Sequence, residues 1–363
     1  MGRNDSTKMA YIDAMKGILI IYVVLLHSLM NAERNIDSEY AILMNYIAYV
    51  VIPSFFFVSG YLFKHKCILT PLKSIIKKFK AYYVPFVGFS LFFWLFHNVF
   101  VTMHLTSQAA YNLKEYLVNF VLVFLCHLDA DLAGPMWFLR ALLIMICVYI
   151  VIEFLVFKIP DRNIRFIVLA IICISMILFH KTGLVPQIYN LNRVFSGIGY
   201  FYMGVLFREY KIDKFVDKYK TVVFIVSTGV VVVYSFTCFG ALGVNVGFKD
   251  LPASYFGIIS IFALSLFPAV SNNRILGSLG QSTLDVMCLH GLAFKVVSYM
   301  YIRVYHLDIM RLAEAPVIKG LHGLYFLPYV LVGLVLCFAE YKARMRICDM
   351  INKKVMIKEQ RYV

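Results

Sequence analysis

Apolar residues in this chain gather into long runs, broken by short polar stretches that are often rich in lysine and arginine. Runs near 20 residues match the hydrocarbon thickness of a bilayer, where a backbone satisfies its own hydrogen bonds as a helix. The pattern predicts ten membrane-spanning helices, near Ile12–Met30, Leu43–Phe63, Tyr82–Met103, Trp137–Phe157, Phe166–His180, Val194–Phe207, Val222–Leu242, Ala253–Val270, Leu284–Val304 and Leu324–Tyr341. The apolar stretch Tyr116–Leu128 is too short to cross comfortably and reads as an interfacial or re-entrant piece. The predicted fold is therefore all-α, a polytopic helical bundle filling residues 1–363 as one membrane domain, with no internal repeat. No cleavable signal peptide is expected, because the first apolar run lacks a small-residue cleavage pattern.

Composition agrees with this pattern. The chain is 61% hydrophobic and 15% charged, against roughly 25% charged in soluble domains. Its net charge of +15 is distributed as a topology signal. Lys64, Lys66, Lys73, Lys77, Lys78 and Lys80 lie between the second and third spans. Arg208, Lys211, Lys214, Lys218 and Lys220 follow the sixth, and Lys342, Arg344, Arg346, Lys353, Lys354, Lys358 and Arg361 follow the tenth. With ten spans, all three clusters and both termini fall on one side, which the positive-inside rule makes cytoplasmic. The first loop on the other side, with Glu33, Arg34, Asp37 and Glu39, is net acidic. Nucleic acid is excluded as a partner, since the charges sit in short loops beside a lipid bilayer rather than on a folded basic domain.

Ionisable side chains inside apolar runs mark candidate chemistry, because they are costly in hydrocarbon and face a protein interior or a wet cavity. The first span carries two, Lys16 and His27. At about 100° and 1.5 Å per residue, they point the same way, separated by about 16 Å along the axis. His27 is a candidate general base, since a neutral imidazole takes a proton from a hydroxyl as its oxygen attacks a carbonyl; the alternative is a packing histidine. Lys16 can reach a phosphate or carbonyl, or else snorkel while paired with Asp13 at i−3. Arg140, one turn inside the fourth span, is a candidate oxyanion donor or a headgroup anchor. Lys73, Lys77, Lys78 and Lys80 can hold the phosphates of an anionic cofactor such as coenzyme A, or anchor to anionic lipid. Asp285, His290 and Arg193 are further polar interior positions, as are Ser28, Trp137 and Glu153. Asp285 and His290, five apart, are not a same-face pair. No Walker loop, GxGxxG, HExxH or GxSxG is present. The eight scattered cysteines lack metal-site spacing and are expected to be buried thiols; no metal is expected.

Taken in order, these segments resemble the acyltransferase-3 family of membrane acyltransferases, in particular its fucose-4-O-acetylase-like branch. The pieces are Tyr11, Asp13, Lys16 and Gly17 through His27 and Ser28; Pro53 through Ser59 and Gly60; the basic lead-in to Pro85; Met136, Trp137 and Arg140; Tyr200 through Gly204; and Leu279 and Gly280 through His290. The resemblance implies a ten-helix bundle moving an acyl group, usually acetyl from cytoplasmic acetyl-CoA, to a hydroxyl of a cell-surface polysaccharide or its lipid-linked precursor. It implies a multi-pass protein of the bacterial plasma membrane, with no bound prosthetic group. His27 takes the place of the catalytic histidine, and Lys16 the place where the family more often has arginine. A lysine cannot form arginine's planar fork, so the grip on the donor differs here. Some relatives carry an appended soluble domain; this chain is expected to act alone or with separate glycan-assembly proteins. The rival reading is a transporter or flippase of lipid-linked glycan, against which stands the lack of repeated halves. Donor dependence separates the two.

Overall fold

The computed structural model describes residues 5–30, 40–127, 131–237 and 251–360, and among them all regular structure is helical. In chain order the helices are α1 (Asp5–Leu29), α2 (Ala41–Tyr61), α3 (Lys66–Leu69), α4 (Pro71–Leu95), α5 (His97–Thr102), α6 (Leu113–Phe124), α7 (Trp137–Val156) and α8 (Arg162–Lys181). They continue with α9 (Leu191–Glu209), α10 (Ile212–Lys218), α11 (Lys220–Thr237), α12 (Leu251–Ser265), α13 (Pro268–Ser271), α14 (Arg274–Gln281), α15 (Thr283–Tyr305) and α16 (Phe326–Gln360). Helix is found within each of the ten predicted segments, of which positions 238–242 of the seventh lie outside the described residues, but fewer than ten qualify as spans. Five helices are long and apolar enough to cross a membrane by length and composition: the apolar part of α1, α2, α7 with the turn before it, α8, and the first part of α16. The pair α10–α11, bent by 96°, makes a sixth if counted as one span. The acidic first loop and Cys238 lie outside the described residues; the other seven cysteines are unbridged.

The bundle is organised around α1 and α2. Helix α1 packs on α14, α16 and α2, while α2 packs on α9 and α12; α15 lies along α16, and α4 lies against α7 and α6. Apolar side chains from these helices, α6 excepted, merge into one buried cluster, with Ile12, Met15, Leu19, Ile47, Phe57, Phe201, Phe262 and Phe294 among its most enclosed members.

Between membrane helices association depends on close van der Waals fit, which favours small residues at the contact. The glycines of the sequence segments supply it. A Cβ on Gly60 would stand 1.8 Å from the Phe201 carbonyl oxygen, and one on Gly204 2.1 Å from that of Phe57, so α2 and α9 touch backbone to backbone. Gly17 against Leu276 and Gly280 against Asp13 do the same for α1 and α14. That contact seats the Asp13–Lys16 turn.

Helix α6 is 12 residues long, short as its apolar run predicts. It starts from a capping box in which Asn112 and Glu115 bond each other's backbone N–H groups. It then runs antiparallel to α4, since Trp94 Nε1 donates to Tyr116 O and, further down, the Tyr83 hydroxyl donates to Phe124 O. It ends in a Schellman-type turn, with Cys126 left-handed at φ 54° and His127 N donating to Leu122 O at 2.8 Å.

Candidate active site

Two histidines meet where α1 and α15 cross. His27 and His290 have ring centroids 4.9 Å apart at an interplanar angle of 46°. In each, Nδ1 faces the carbonyl oxygen one turn back, Val23 O at 2.8 Å for His27 and Val286 O at 2.7 Å for His290. A carbonyl oxygen only accepts, so each Nδ1 carries the hydrogen, and in a neutral ring each Nε2 then keeps the lone pair. The site thus holds two imidazoles that, when neutral, share one tautomer. It can take up a proton from a hydroxyl group brought to it.

The surroundings are assembled from distant segments. Phe294 lies edge-on to His290, with centroids 5.4 Å apart. The 3₁₀ turn Asp131–Met136 rests on α15 beside the pair, where a Cβ on Gly291 would come within 2.7 Å of Leu132 O. That turn is held at its exposed start by Asp131, whose carboxylate accepts from Thr106 Oγ1 at 3.2 Å. Lys295, buried and one turn beyond His290, donates to Leu312 O at 2.8 Å and Glu314 O at 2.7 Å, fastening the segment after α15. Sequence reasoning passed over Lys295, although a lysine inside an apolar run was itself the signal.

The other sequence-predicted residues take separate places. Lys16 pairs with Asp13 at 2.7 Å, three turns from His27 along α1, and Gln281 Nε2 approaches Asp13 at 3.5 Å. Ser28 spends its hydroxyl on Leu25 O at 2.7 Å. Asp285 is buried and ion-paired with Arg344 of α16, which also reaches Glu340 at 3.5 Å, so it pins α15 to α16. The expectation that Asp285 and His290 do not work as a pair agrees with these different partners.

Arg140 is expected near His27 but is engaged elsewhere. Its Nη1 donates to Cys126 O at 2.5 Å, its Nη2 donates to Asn190 Oδ1, and its guanidinium lies 5.6 Å from the Tyr189 ring centroid. A cation on the last carbonyl of α6 also meets the negative end of that helix's dipole. Both terminal nitrogens therefore hold backbone and loop, and α7 packs chiefly on α4 and α9. Arg193 stacks on Trp137, its guanidinium carbon 3.9 Å from the ring centroid.

The basic lead-in of α4 divides by face. Lys73, Lys77 and Lys80 are exposed, whereas Lys78 is half-buried. Burial pulls the Lys78 ammonium below its ordinary value, with Lys77 and Lys64 pushing the same way and Cys67 opposing. Of the four, Lys78 is the one turned toward the bundle.

A second histidine site lies at the other end of α2. His65 places Nδ1 2.5 Å from Glu153 Oε1 and Nε2 3.1 Å from Glu209 Oε1, and Glu153 is fully buried. Burial lowers the His65 imidazolium, but the hydrogen bond and charge of Glu153 and the charge of Glu209 outweigh it against Arg165, so the net shift is upward.

Comparison with curated proteins finds no match, and comparison with solved structures finds none. A family model for the acyltransferase domain matches residues 9–341 and takes in the Asp13–Lys16 turn, His27, the Trp137 helix and His290. The chain belongs to the acyltransferase-3 family and is a membrane acyltransferase in that general sense.

Proposed function

We propose that this protein is an integral membrane O-acetyltransferase of the fucose-4-O-acetylase-like branch, crossing a bacterial plasma membrane ten times as one domain with both termini in the cytoplasm. It moves an acetyl group from cytoplasmic acetyl-CoA to a hydroxyl of a cell-surface polysaccharide or its lipid-linked precursor. The observation that carries this reading is the His27–His290 pair, two rings 4.9 Å apart, each bound through Nδ1 to its own helix so that Nε2 is left for chemistry.

In the proposed reaction the acceptor hydroxyl gives its proton to His27 Nε2 while its oxygen attacks the thioester carbonyl. The new C–O bond forms and the C–S bond breaks. The coenzyme A thiolate leaves with the electron pair and takes the proton from His27, which returns to its starting state, so no net acid or base accumulates. His290 stands ready to share the proton held by His27. Lys78, turned inward, and Lys73, Lys77 and Lys80 attract the phosphates of the donor, whose arm reaches the bundle past Lys16 and Asp13. Arg140 acts as a positioning residue that fixes α6 and the Tyr189–Asn190 turn. A ternary complex is preferred to an acyl-enzyme, since no activated nucleophile stands beside the histidines.

The test is acetyl transfer from radiolabelled acetyl-CoA by purified protein in nanodiscs. Wild type is expected to bind and consume donor, His27→Ala to bind without transfer, and Lys16→Ala to bind more weakly. Well-folded wild type that neither binds nor consumes acetyl-CoA would shift the reading to transport of a lipid-linked glycan.

A further inference from the structure

A buried lysine stands close to the histidine pair and takes no part in the reaction described above. Gly280 packs on Asp13 and His290 on His27, so α14 and α15 run alongside α1. Lys295 therefore lies beyond the histidines, on the side away from Lys16. It is 3% exposed. Two of its N–H groups go to backbone, Leu312 O at 2.8 Å and Glu314 O at 2.7 Å. The acids that act on its charge come from two segments, Asp131 at the start of the turn before α7 and Glu314 in the chain after α15. An ammonium inside an apolar helix is costly unless it is bonded and paired, so these partners hold it and it holds them.

Gly291 and Lys295 are four residues apart and share a face of α15. On that face the Asp131–Met136 turn touches the helix, since a Cβ on Gly291 would stand 2.7 Å from Leu132 O. The turn, α15 and residues 312–314 thus meet around one side chain, and Gly291 is the neighbour of His290. Glu314 also pairs with Arg311 at 2.8 Å and accepts from Lys319 N at 2.6 Å, contacts that stay within its own segment.

We infer that Lys295 is a positioning residue for acetyl transfer, clamping the Asp131–Met136 turn and residues 312–314 to α15 and so fixing His290 against His27. The inference rests on the acyltransferase reading of the His27–His290 pair. A reacting group displaced by about 1 Å can cost roughly a hundredfold in rate, so a clamp one residue from His290 matters more to turnover than to donor binding near Lys16.

Lys295→Met keeps the length of the side chain and removes the ammonium, whereas Lys295→Arg keeps charge and donors. Each is made in the full-length protein in nanodiscs, beside Arg311→Gln, which loosens only the segment after α15. In Lys295→Met, kcat for acetyl transfer is expected to fall roughly ten- to a hundredfold with KM for acetyl-CoA unchanged, and Lys295→Arg should recover part of the loss. Amide exchange should quicken about tenfold or more at residues 309–319 and also at 131–136, because hydrogen bonds to a charged group are lost. Arg311→Gln should quicken exchange at 309–319 alone and leave kcat at its wild-type value. A lower Tm in Lys295→Met with kcat per folded molecule unchanged would overturn the proposal and leave a lysine that only stabilises the fold. So would unchanged exchange at 131–136, or a rise in KM in place of the fall in kcat. Well-folded wild type that neither binds nor consumes acetyl-CoA would instead sink the acyltransferase reading, and the role of Lys295 with it, whatever the exchange pattern.

Discussion

His27 and His65 are both half-buried histidines at helix ends, yet their surroundings give them opposite work. His65 has a carboxylate on each ring nitrogen, Glu153 at 2.5 Å and Glu209 at 3.1 Å. Held in this way the ring is drawn toward its charged form and both nitrogens are spent joining the loop after α2 to α7 and α9. His27 has one nitrogen on its own helix's Val23 carbonyl and its other beside a neutral neighbour, His290. Nothing fixes a charge there, so a proton arriving on Nε2 comes from whatever hydroxyl is brought to it. A histidine between two acids holds a structure together; a histidine tied only to its own backbone is left able to exchange protons.

Substitutions can break this contrast in a graded way. Replacing His27 with alanine should reduce acetyl transfer most, by a factor of about 10²–10⁴ as expected for loss of a general base, with donor binding retained in a filter-binding assay. Full activity in that variant would end the assignment. His290→Ala should cost less, roughly ten- to a hundredfold in kcat with KM for acetyl-CoA unchanged, since His27 remains to take the proton. A matching rise in KM would instead mean that His290 helps bind the donor.

His65→Ala should behave in the reverse sense. It leaves Glu153 buried without its partner, at a cost of about 1–3 kcal/mol in stability, read as a lower Tm in detergent, while kcat per folded molecule stays near wild type. The smallest expected effect is in the pH dependence. The His65 value in the folded protein is raised above the ordinary 6.5, so its contribution to stability is complete below that pH and is lost as pH rises through the raised value. Wild-type Tm should therefore decline over that interval, and His65→Gln should flatten the decline. An unchanged slope in His65→Gln would assign it to another group.

Much of the fold was legible because its signals are local. A run of apolar residues near 20 long must be a helix in lipid whatever its neighbours are, and helix is found within each predicted segment. The Asp13–Lys16 pair follows from i, i+3 spacing alone, and α6 was marked as short from its length. Glycines at positions 17, 60, 204 and 280 stood out as parts of segments, but their reason, backbone contact between helices, needed the packing.

The candidate site was legible only in part. His27 could be singled out because an imidazole in an apolar run is unusual. His290 could be named as an interior polar residue but not as its partner, since it is 263 residues away and reaches His27 through the crossing of α1 and α15. Arg140 shows the same limit from the other side. Its depth in the sequence suggested a role at the level of His27, whereas the turn after the short α6 brings Cys126 O to its guanidinium. The four lysines of α4 look equivalent as a run, and only the tilt of the helix against the bundle separates Lys78 from the rest.

By itself, then, the sequence determined that this is a helical membrane protein of an acyltransferase family, where its helices lie, and that His27 is exceptional. The helices and the standing of His27 rest on hydropathy, periodicity and neighbouring residues, which act over one or two helical turns, and the family rests on the resemblance of its segments. Which ionisable groups meet was decided by the tertiary structure: His27 with His290, Arg140 with Cys126 and Asn190, Asp285 with Arg344, His65 with Glu153 and Glu209. Those pairings depend on helix crossings and on the depth at which short helices stop, and neither is set by any one stretch of chain.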